Sequence, residues 1–390
     1  MAGPPVTSPI ERLRRGLQLP SPTQIFAVDV TSAQLVWRRV PSGNLQVRVR
    51  PLDGSAQTLH FDVSSPASPG GLELANLSAN TPYKATLHTD DGLQHLAFRT
   101  LPEPSGPTLT RIATVNDVHI GSFQFGVAGA MKERPFPEVA SGERCARAAF
   151  EEMSEWGPDH LVVKGDLVHH MQDWEWSVGR ELVAGLGVPW DFALGNHETR
   201  HNDLPVEHFA DWNYDLGESV RVRDLPGVRL IVADTAVAWS DYGELEHIHE
   251  PIVEAAGNSE LPVIVFLHHN LQPRVRAWMA PAGISSVTAI PFLDDLHAAK
   301  PGTLVVSGHT HRHRRRLHKS ITVAEVGSTK DYPGTWTGYD VSDGEVRQVV
   351  RRVLRPDAMA WTERTRNGAL SAWGRWSPGT MDDRCFVHRW

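Results

Sequence analysis

The sequence of 390 residues is poor in cysteine, with only Cys145 and Cys385. Two cysteines are too few for a disulfide framework, and they lie too far apart in the sequence for a zinc knuckle. Positive charge is not in excess either, because 38 Lys and Arg against 46 Asp and Glu give a net charge of -8. No general attraction to nucleic acid or to an anionic membrane is therefore expected.

Long apolar runs are also missing. No stretch approaches the ~20 apolar residues that a membrane span requires. The arginines near the N-terminus are not followed by the apolar stretch of a secretory signal. These absences predict a cytoplasmic protein without membrane contacts.

Composition divides the chain into four segments. Residues 1–22 are rich in proline and serine and are predicted to be a tail. In residues 23–103, short β-like runs alternate with turn sequences, which predicts a small all-β sandwich. Residues 108–355 alternate apolar strands with amphipathic helices, which predicts an α/β fold. Residues 356–390 are rich in tryptophan and arginine without a clear period, and we predict an irregular extension that packs on the α/β part.

The strands of the α/β part are near-continuous apolar runs, as expected of strands covered on both faces. They are predicted at Thr110–Val115, His160–Val163, Pro189–Leu194, Val228–Ala233, Pro262–Leu267, Thr303–Val306 and Ile321–Glu325. Helical periodicity marks Glu143–Trp156, Trp174–Leu186 and Ser286–Ala299.

Histidine is abundant, with 20 residues, and several of them follow these strands directly together with Asp and Asn. Five strand ends carry such residues, namely Asp117 with His119, Asp166, Asn196, His268, and His309 with His311. Ligand sites of open α/β sheets form beyond the carboxyl ends of the strands, so we expect these side chains to meet. Asp, Asn and His without Cys favour ions such as Mn, Fe, Zn, Co or Ni. Seven ligands are too many for one open tetrahedral site but suit two ions that clamp a phosphoryl group.

The ordered set of motifs resembles the calcineurin-like metallophosphoesterase superfamily. The motifs are Asp117-Val-His119, Gly165-Asp166, Gly195-Asn196-His197-Glu198, His268 and Gly308-His309-Thr-His311. The resemblance implies a β-sheet sandwich flanked by helices and two metal ions, which would be Fe, Mn or Zn. It assigns the first ion to Asp117, His119, Asp166 and His311, and the second to Asp166, Asn196, His268 and His309. His197 would face the substrate and protonate the leaving oxygen, an effect typically worth about 10²–10⁴-fold.

The all-β segment carries a resemblance of its own. Trp37 and the stretch Leu77-Ser-Ala-Asn-Thr-Pro-Tyr83 resemble a fibronectin type III domain. Such a domain ahead of the catalytic one is the layout of plant-type purple acid phosphatases. Those enzymes have a tyrosinate ligand three residues after the bridging Asp, where this chain has His169.

Two further positions point to different branches of the superfamily. Glu198 matches the purple acid and Ser/Thr phosphatases. The run His268-His269-Asn270-Leu271 departs from the His-His-Pro-Pro that is usual in bacterial cyclic-nucleotide and glycerophosphodiester phosphodiesterases. These signatures leave the subfamily open.

The resemblance implies a phosphoric ester hydrolase that attacks a small phosphate ester with a metal-bound hydroxide. We favour a phosphodiesterase of the cyclic nucleotide or glycerophosphodiester type. One alternative is a phosphomonoesterase that resembles purple acid phosphatases but lacks the tyrosinate ligand. Another, from a different class, is a non-catalytic binding protein with a vestigial metal site.

Three residues near the ligand-bearing turns are candidates for substrate contacts, namely His169, His269 and Arg200. His169 is also a candidate neighbour of the first metal ion. The basic run from Arg312 to Arg316 is not expected to bind nucleic acid, because the chain is acidic and the run contains no aromatic residues.

Overall fold

The computed structural model describes residues 23–126, 129–133, 138–199, 209–210, 212, 218–273 and 282–390. The predicted tail, residues 1–22, lies outside them. Within this part of the chain, no helix is both long and apolar enough to cross a membrane.

The N-terminal region consists of antiparallel strands in two sheets. One sheet has the order β1-β2-β5 and the other β4-β3-β6-β7. The bounds are β1 (Thr23–Val28), β2 (Ala33–Trp37), β3 (Asn44–Pro51), β4 (Leu59–Ser64), β5 (Gly70–Leu74), β6 (Pro82–Thr89) and β7 (Gly92–Arg99). In β3, Leu45, Val47 and Val49 are buried while their neighbours are exposed, so strict alternation makes one face of the strand apolar.

The corner before β6 is closed by Tyr83. Its buried ring stacks on Phe98, and its hydroxyl oxygen accepts a hydrogen bond from the Ser78 amide at 2.8 Å. Such a bond from a tyrosine back to the chain a few residues upstream is found in β-sandwich domains of the immunoglobulin type. The relation of this region to fibronectin type III domains stays a prediction.

The remaining strands form two six-stranded sheets. The first has the order β12-β11-β8-β19-β20-β21, and the second β13-β14-β15-β16-β18-β17. The strands of the first are β8 (Thr110–Val115), β11 (His160–Val163), β12 (Trp190–Phe192), β19 (Thr335–Ser342), β20 (Glu345–Arg352) and β21 (Cys385–Arg389). Those of the second are β13 (Val220–Leu225), β14 (Val228–Ala233), β15 (Val263–Phe266), β16 (Leu304–Ser307), β17 (Arg314–His318) and β18 (Ile321–Glu325). A short ribbon pairs β9 (Gln124–Phe125) with β10 (Met131–Lys132).

The helices cover the outer faces of these sheets. They are α1 (Ser141–Trp156), α2 (Asp173–Gly185), α3 (His249–Gly257), α4 (Ser286–Ala299), α5 (Pro356–Thr365), α6 (Ala372–Trp376) and α7 (Met381–Arg384). The predicted α/β class, with a sheet sandwich between helices, is therefore confirmed. The three predicted helices correspond to α1, α2 and α4.

Both faces of the central strands are buried, which explains their apolar runs. Toward the middle, Ile112 and Val162 of the first sheet belong to the same core as Leu230 and Phe266 of the second. The residues that alternate with them point outward, where α1 and α2 cover the first sheet and α3 and α4 cover the second. Strands β12, β11 and β8 run parallel, as do β14, β15, β16 and β18. Their carboxyl ends therefore meet along common edges.

The structure corrects the prediction for residues 356–390. This segment is not irregular, because it contains α5, α6 and α7 and ends in β21, which pairs with β20. Helix α5 buries six of its ten residues, among them Met359, Trp361 and Glu363. Three of the six buried residues, Thr362, Glu363 and Thr365, are polar, so the buried face does not appear as an apolar stripe in the sequence.

The first N-terminal sheet packs on β20. The Asp29 carboxylate forms ion pairs with Arg347 at 2.8 Å and with Arg351 at 2.7 Å. The Gln34 side chain bonds both backbone groups of Arg352, at 3.2 Å to the carbonyl oxygen and at 2.8 Å from the amide. This region is therefore joined to the α/β part by charged and polar contacts.

Candidate metal centre

The loops that follow β8, β11, β12, β15 and β16 converge at one end of the two sheets. Backbone hydrogen bonds tie them together. The Asp117 amide donates to the Gly165 carbonyl at 3.0 Å, the His119 amide donates to the Asp166 carbonyl at 2.9 Å, and the Gly308 amide donates to the His268 carbonyl at 2.9 Å. The structure thereby brings together all seven residues that the motifs single out as metal ligands.

Asp166 lies at the centre of this group. Its Oδ2 is 3.5 Å from His268 Nε2 and 3.7 Å from His119 Nε2, whereas its Oδ1 accepts a hydrogen bond from the His197 amide at 2.9 Å. One carboxylate oxygen thus faces one histidine from each predicted ligand set. This is the position that a bridging ligand between two ions would occupy.

The first predicted set is Asp117, His119 and His311 together with Asp166. His311 Nε2 is 3.3 Å from His119 Nε2 and 3.2 Å from Asp117 Oδ1. Asp117 is completely buried, and its Oδ1 has no hydrogen-bond donor of suitable geometry among the described residues. A buried carboxylate oxygen without a donor, beside two imidazole nitrogens, is a donor set that fits a bound divalent ion.

The second predicted set is Asn196, His268 and His309 together with Asp166. His268 Nδ1 lies 2.8 Å from the Lys164 carbonyl oxygen, so the ring is held with Nε2 toward Asn196 Oδ1 at 3.2 Å. His309 uses Nε2 toward the Ala282 carbonyl at 2.9 Å, which leaves its Nδ1 for a metal. Such partners on the other ring nitrogen usually orient histidine ligands.

Three carboxylates contact the predicted ligands or the loops that carry them, and two of the three lie outside the motifs. Asp331 Oδ2 is 2.6 Å from His311 Nδ1. Asp241 Oδ1 accepts from Asn196 Nδ2 at 3.2 Å, so the amide oxygen of Asn196 points to the centre. Glu198, which is within a motif, accepts from the backbone amides of Asp166 at 2.7 Å and Gly195 at 2.8 Å.

The ligand loops adopt an unusual backbone. Five of the seven predicted ligands have positive φ, between 49° and 66°, namely Asp117, His119, Asp166, His309 and His311. This region is unfavourable for residues with a Cβ and is retained mainly where the surrounding structure imposes it, often at functional sites. Gly308 permits the close approach, because a Cβ there would lie 2.8 Å from Asp117 Oδ2.

The electrostatics of the site favour charged carboxylates. Burial alone would raise the pKa of Asp166, but His268 and His197 hold it well below the usual value. Burial would also lower the pKa of His311, but Asp117 and Asp331 raise it to about 10. For His268, burial is outweighed by Asp166, and the pKa rises to about 9. The carboxylates of this cluster therefore carry negative charge, which attracts a cation.

His197, predicted to be catalytic, lies beside the first set without belonging to it. Its Nδ1 is 2.8 Å from the carbonyl oxygen of His169, and its ring packs against His119 with centroids 4.4 Å apart. The His197 and His169 rings stack at 4.9 Å, and His169 Nδ1 lies 3.4 Å from His119 Nδ1. His169 is thus next to the first set, where it supports His119 and His197.

The other candidate contact residues have different positions. His269 is buried, with Nδ1 2.9 Å from Thr235 Oγ1 and its ring 4.6 Å from that of His309. Arg200 lies outside the described residues. Arg312, the first residue of the basic run, is buried in an ion pair with Glu325 at 3.1 Å and covers the ring of Trp376.

Comparison with known proteins identifies the family. The sequence pattern of the calcineurin-like phosphoesterases matches residues 110–313, which is more than half of the chain. A probable cyclic nucleotide phosphodiesterase of Psychrobacter sp. (strain PRwf-1) is 24% identical over 241 residues, covering 60% of this chain and 67% of that protein. A probable glycerophosphodiester phosphodiesterase of Arcobacter nitrofigilis is 26% identical over 176 residues, covering 44% of this chain and 63% of that protein.

A solved structure of a dimetal phosphatase from Danio rerio is similar with a TM-score of 0.48 at 12% identity, covering 64% of this chain and 98% of that chain. The family match includes every strand end that carries a predicted ligand. This chain therefore belongs to the calcineurin-like phosphoesterase family, a family of phosphoric ester hydrolases with a dimetal centre.

Proposed function

We propose that this protein hydrolyses small phosphodiesters of the cyclic nucleotide or glycerophosphodiester type. The observation that carries the proposal is the position of Asp166 Oδ2 between His268 and His119. A shared carboxylate of this kind fits two ions close together, an arrangement suited to phosphoryl transfer. Two such ions, Fe, Mn or Zn, would supply a water molecule of lowered pKa and positive charge for the phosphoryl oxygens.

The residues around the centre have separate roles in this proposal. Asp117, His119 and His311 hold the first ion, Asn196, His268 and His309 hold the second, and Asp166 holds both. His197 is the catalytic acid that protonates the leaving oxygen, because its ring packs on that of His119 beside the first set and the His169 carbonyl, which accepts from Nδ1, orients the ring. His169 and His269 position these groups, since His169 Nδ1 lies 3.4 Å from His119 Nδ1 and the His269 ring packs on that of His309.

The two bacterial relatives described above are named as phosphodiesterases, which supports a diester substrate. A phosphomonoesterase is the second candidate, supported by the all-β region ahead of the catalytic part and by Glu198. A vestigial, non-catalytic site has less support, because donor side chains occupy all seven ligand positions.

The division of the chain is part of the proposal. Residues 23–103 would form a fibronectin type III-like domain, residues 108–355 the catalytic domain, and residues 356–390 a C-terminal extension on it. The cytoplasmic location stays a prediction from the sequence.

Hydrolysis of bis-p-nitrophenyl phosphate and of p-nitrophenyl phosphate tests the proposal. Chelation should abolish turnover and added Mn²⁺ should restore it, with preference for the diester. Preference for the monoester would favour the second candidate. No turnover of either ester by protein that holds two metal ions would contradict a catalytic role.

Replacing His197 by Ala tests the catalytic acid. We expect kcat to fall about 10²-fold or more while the metal content stays unchanged. The loss of kcat should be larger for a glycerol leaving group than for p-nitrophenolate, because the glycerol alkoxide is the stronger base and depends more on protonation to leave. His318→Ala, at a histidine of β17 that pairs with Asp294, is the control and should leave kcat unchanged. An unchanged kcat in His197→Ala would remove His197 from the mechanism.

A further inference from the structure

Two large aromatic side chains lie exposed near the metal centre. They are Trp239 and Tyr242, with 68% and 62% of their surface accessible. Both belong to residues 235–243, which we call the aromatic loop and which lies between β14 and α3. The faces of exposed aromatic side chains offer a large area on which a ligand can stack.

The aromatic loop is attached to the second ligand set. Asp241 accepts from the Asn196 amide group at 3.2 Å, and Thr235 Oγ1 lies 2.9 Å from His269 Nδ1. The Trp239 amide donates to the Thr199 carbonyl at 3.3 Å. The aromatic loop is therefore held next to Asn196 and Thr199, on either side of His197 along the chain.

Backbone pairing joins the two ends of the aromatic loop. The Glu244 amide donates to the Thr235 carbonyl at 3.0 Å, and Ala236 and Gly243 pair in an isolated antiparallel bridge. Gly243 packs so tightly on His269 that a Cβ would lie 2.5 Å from His269 Cγ. The backbone of the aromatic loop is thus anchored at its buried end.

Trp239 also has a φ of 61°, in the left-handed region that bulky residues avoid. Residues stay in such a conformation where the surrounding contacts impose it, and these positions cluster at ligand sites. A glycine or an asparagine would fit this backbone better than a tryptophan.

We propose that Trp239 and Tyr242 stack on the base of a nucleotide phosphodiester whose phosphate lies at the metal centre. This inference rests on the proposed function and selects one substrate class within it. A base offers a π-face to an aromatic side chain, and such stacking tolerates any base. A glycerol group offers no such face, so the aromatic loop favours nucleotides over glycerophosphodiesters.

The test compares kcat/KM for 3′,5′-cyclic AMP and for glycerophosphoethanolamine in the wild type, Trp239→Ala and Trp239→Phe. Loss of stacking should lower kcat/KM for cyclic AMP about 10-fold in Trp239→Ala, mainly through KM. Trp239→Phe keeps a ring and should retain most of the activity. Glycerophosphoethanolamine should change by less than about twofold. Leu317→Ala, at a leucine that is 69% exposed on β17, is the control for removing exposed apolar surface.

An equal loss for both substrates in Trp239→Ala would overturn the inference, because the loop would then act only by supporting Asn196. A wild type that cleaves glycerophosphoethanolamine but not cyclic AMP would also overturn it, while the proposed function would stand. If the wild type cleaves neither, the proposed function fails and titration with AMP decides the inference. Quenching of tryptophan fluorescence that is lost in Trp239→Phe supports stacking, and equal quenching in both proteins contradicts it.

Discussion

At the scale of single residues, two carboxylates outside the motifs each contact one predicted ligand. Asp331 contacts His311 of the first set at 2.6 Å, and Asp241 contacts Asn196 of the second at 3.2 Å. Loss of such a partner typically lowers metal affinity about 10–100-fold. We expect Asp331→Asn to weaken the first ion selectively and Asp241→Asn to weaken the second. Titration of the metal-free protein against a competing chelator measures both steps.

The two variants serve as controls for each other, because each leaves the opposite set intact. Equal weakening of both ions by Asp331→Asn would contradict the assignment of His311 to one ion only. If a variant binds both metal ions as tightly as the wild type, the carboxylate replaced in that variant does not orient its ligand.

At the scale of elements, Glu152 joins helix α1 to the first sheet. It accepts from the Leu354 amide at 2.7 Å and from the Trp336 indole nitrogen at 3.1 Å. Burial raises the pKa of Glu152 to about 7, well above the ordinary value of a glutamate. The folded protein therefore binds this proton more tightly than the unfolded chain. The protonated carboxyl group of Glu152 therefore stabilises the folded state fully below about pH 4.5, and this contribution is lost as the pH rises to about 7.

We expect the difference in free energy of unfolding, Glu152→Gln minus wild type, to increase by about 1–3 kcal/mol as the pH rises from 5 to 8. Denaturant unfolding of both proteins at the two pH values measures this difference. Glu155→Gln, at an exposed position of the same helix, is the control and should show no such trend. A difference between Glu152→Gln and wild type that does not change with pH would contradict the assignment.

At the scale of the whole molecule, Asp29 connects the N-terminal sheet to β20 through Arg347 and Arg351. These three side chains are largely shielded from solvent, and removal of the carboxylate leaves two arginines side by side. We expect Asp29→Ala to lower the free energy of unfolding by about 1–3 kcal/mol and to leave kcat unchanged. Thermal unfolding and a turnover assay measure the two effects.

Asp62→Ala, at an exposed position of β4, is the control for loss of an acidic side chain. It should unfold at the same temperature as the wild type. A change of kcat in Asp29→Ala would show that this interface influences the metal centre, contrary to the expectation. An unchanged unfolding temperature would mean that the ion pairs add no net stability.

The sequence alone determined the α/β class, most strand positions and the residues that meet at the candidate metal centre. It did so because apolar runs mark strands buried on both faces, and because each ligand follows such a strand within a short motif. Parallel strands then bring motifs that are far apart in the sequence to the same edge of the sheets. The positions of Asp117, Asp166 and His311 follow from this regularity.

Only the tertiary structure decided which residues surround those ligands. Asp331 and Asp241 lie 20 and 45 positions from the residues they orient, and no motif marks them. Helix α5 shows no apolar stripe because half of its buried residues are polar, and β21 reaches its place only by pairing with β20. Contacts between segments far apart in sequence depend on how the two sheets and the C-terminal residues pack, and local patterns do not encode that packing.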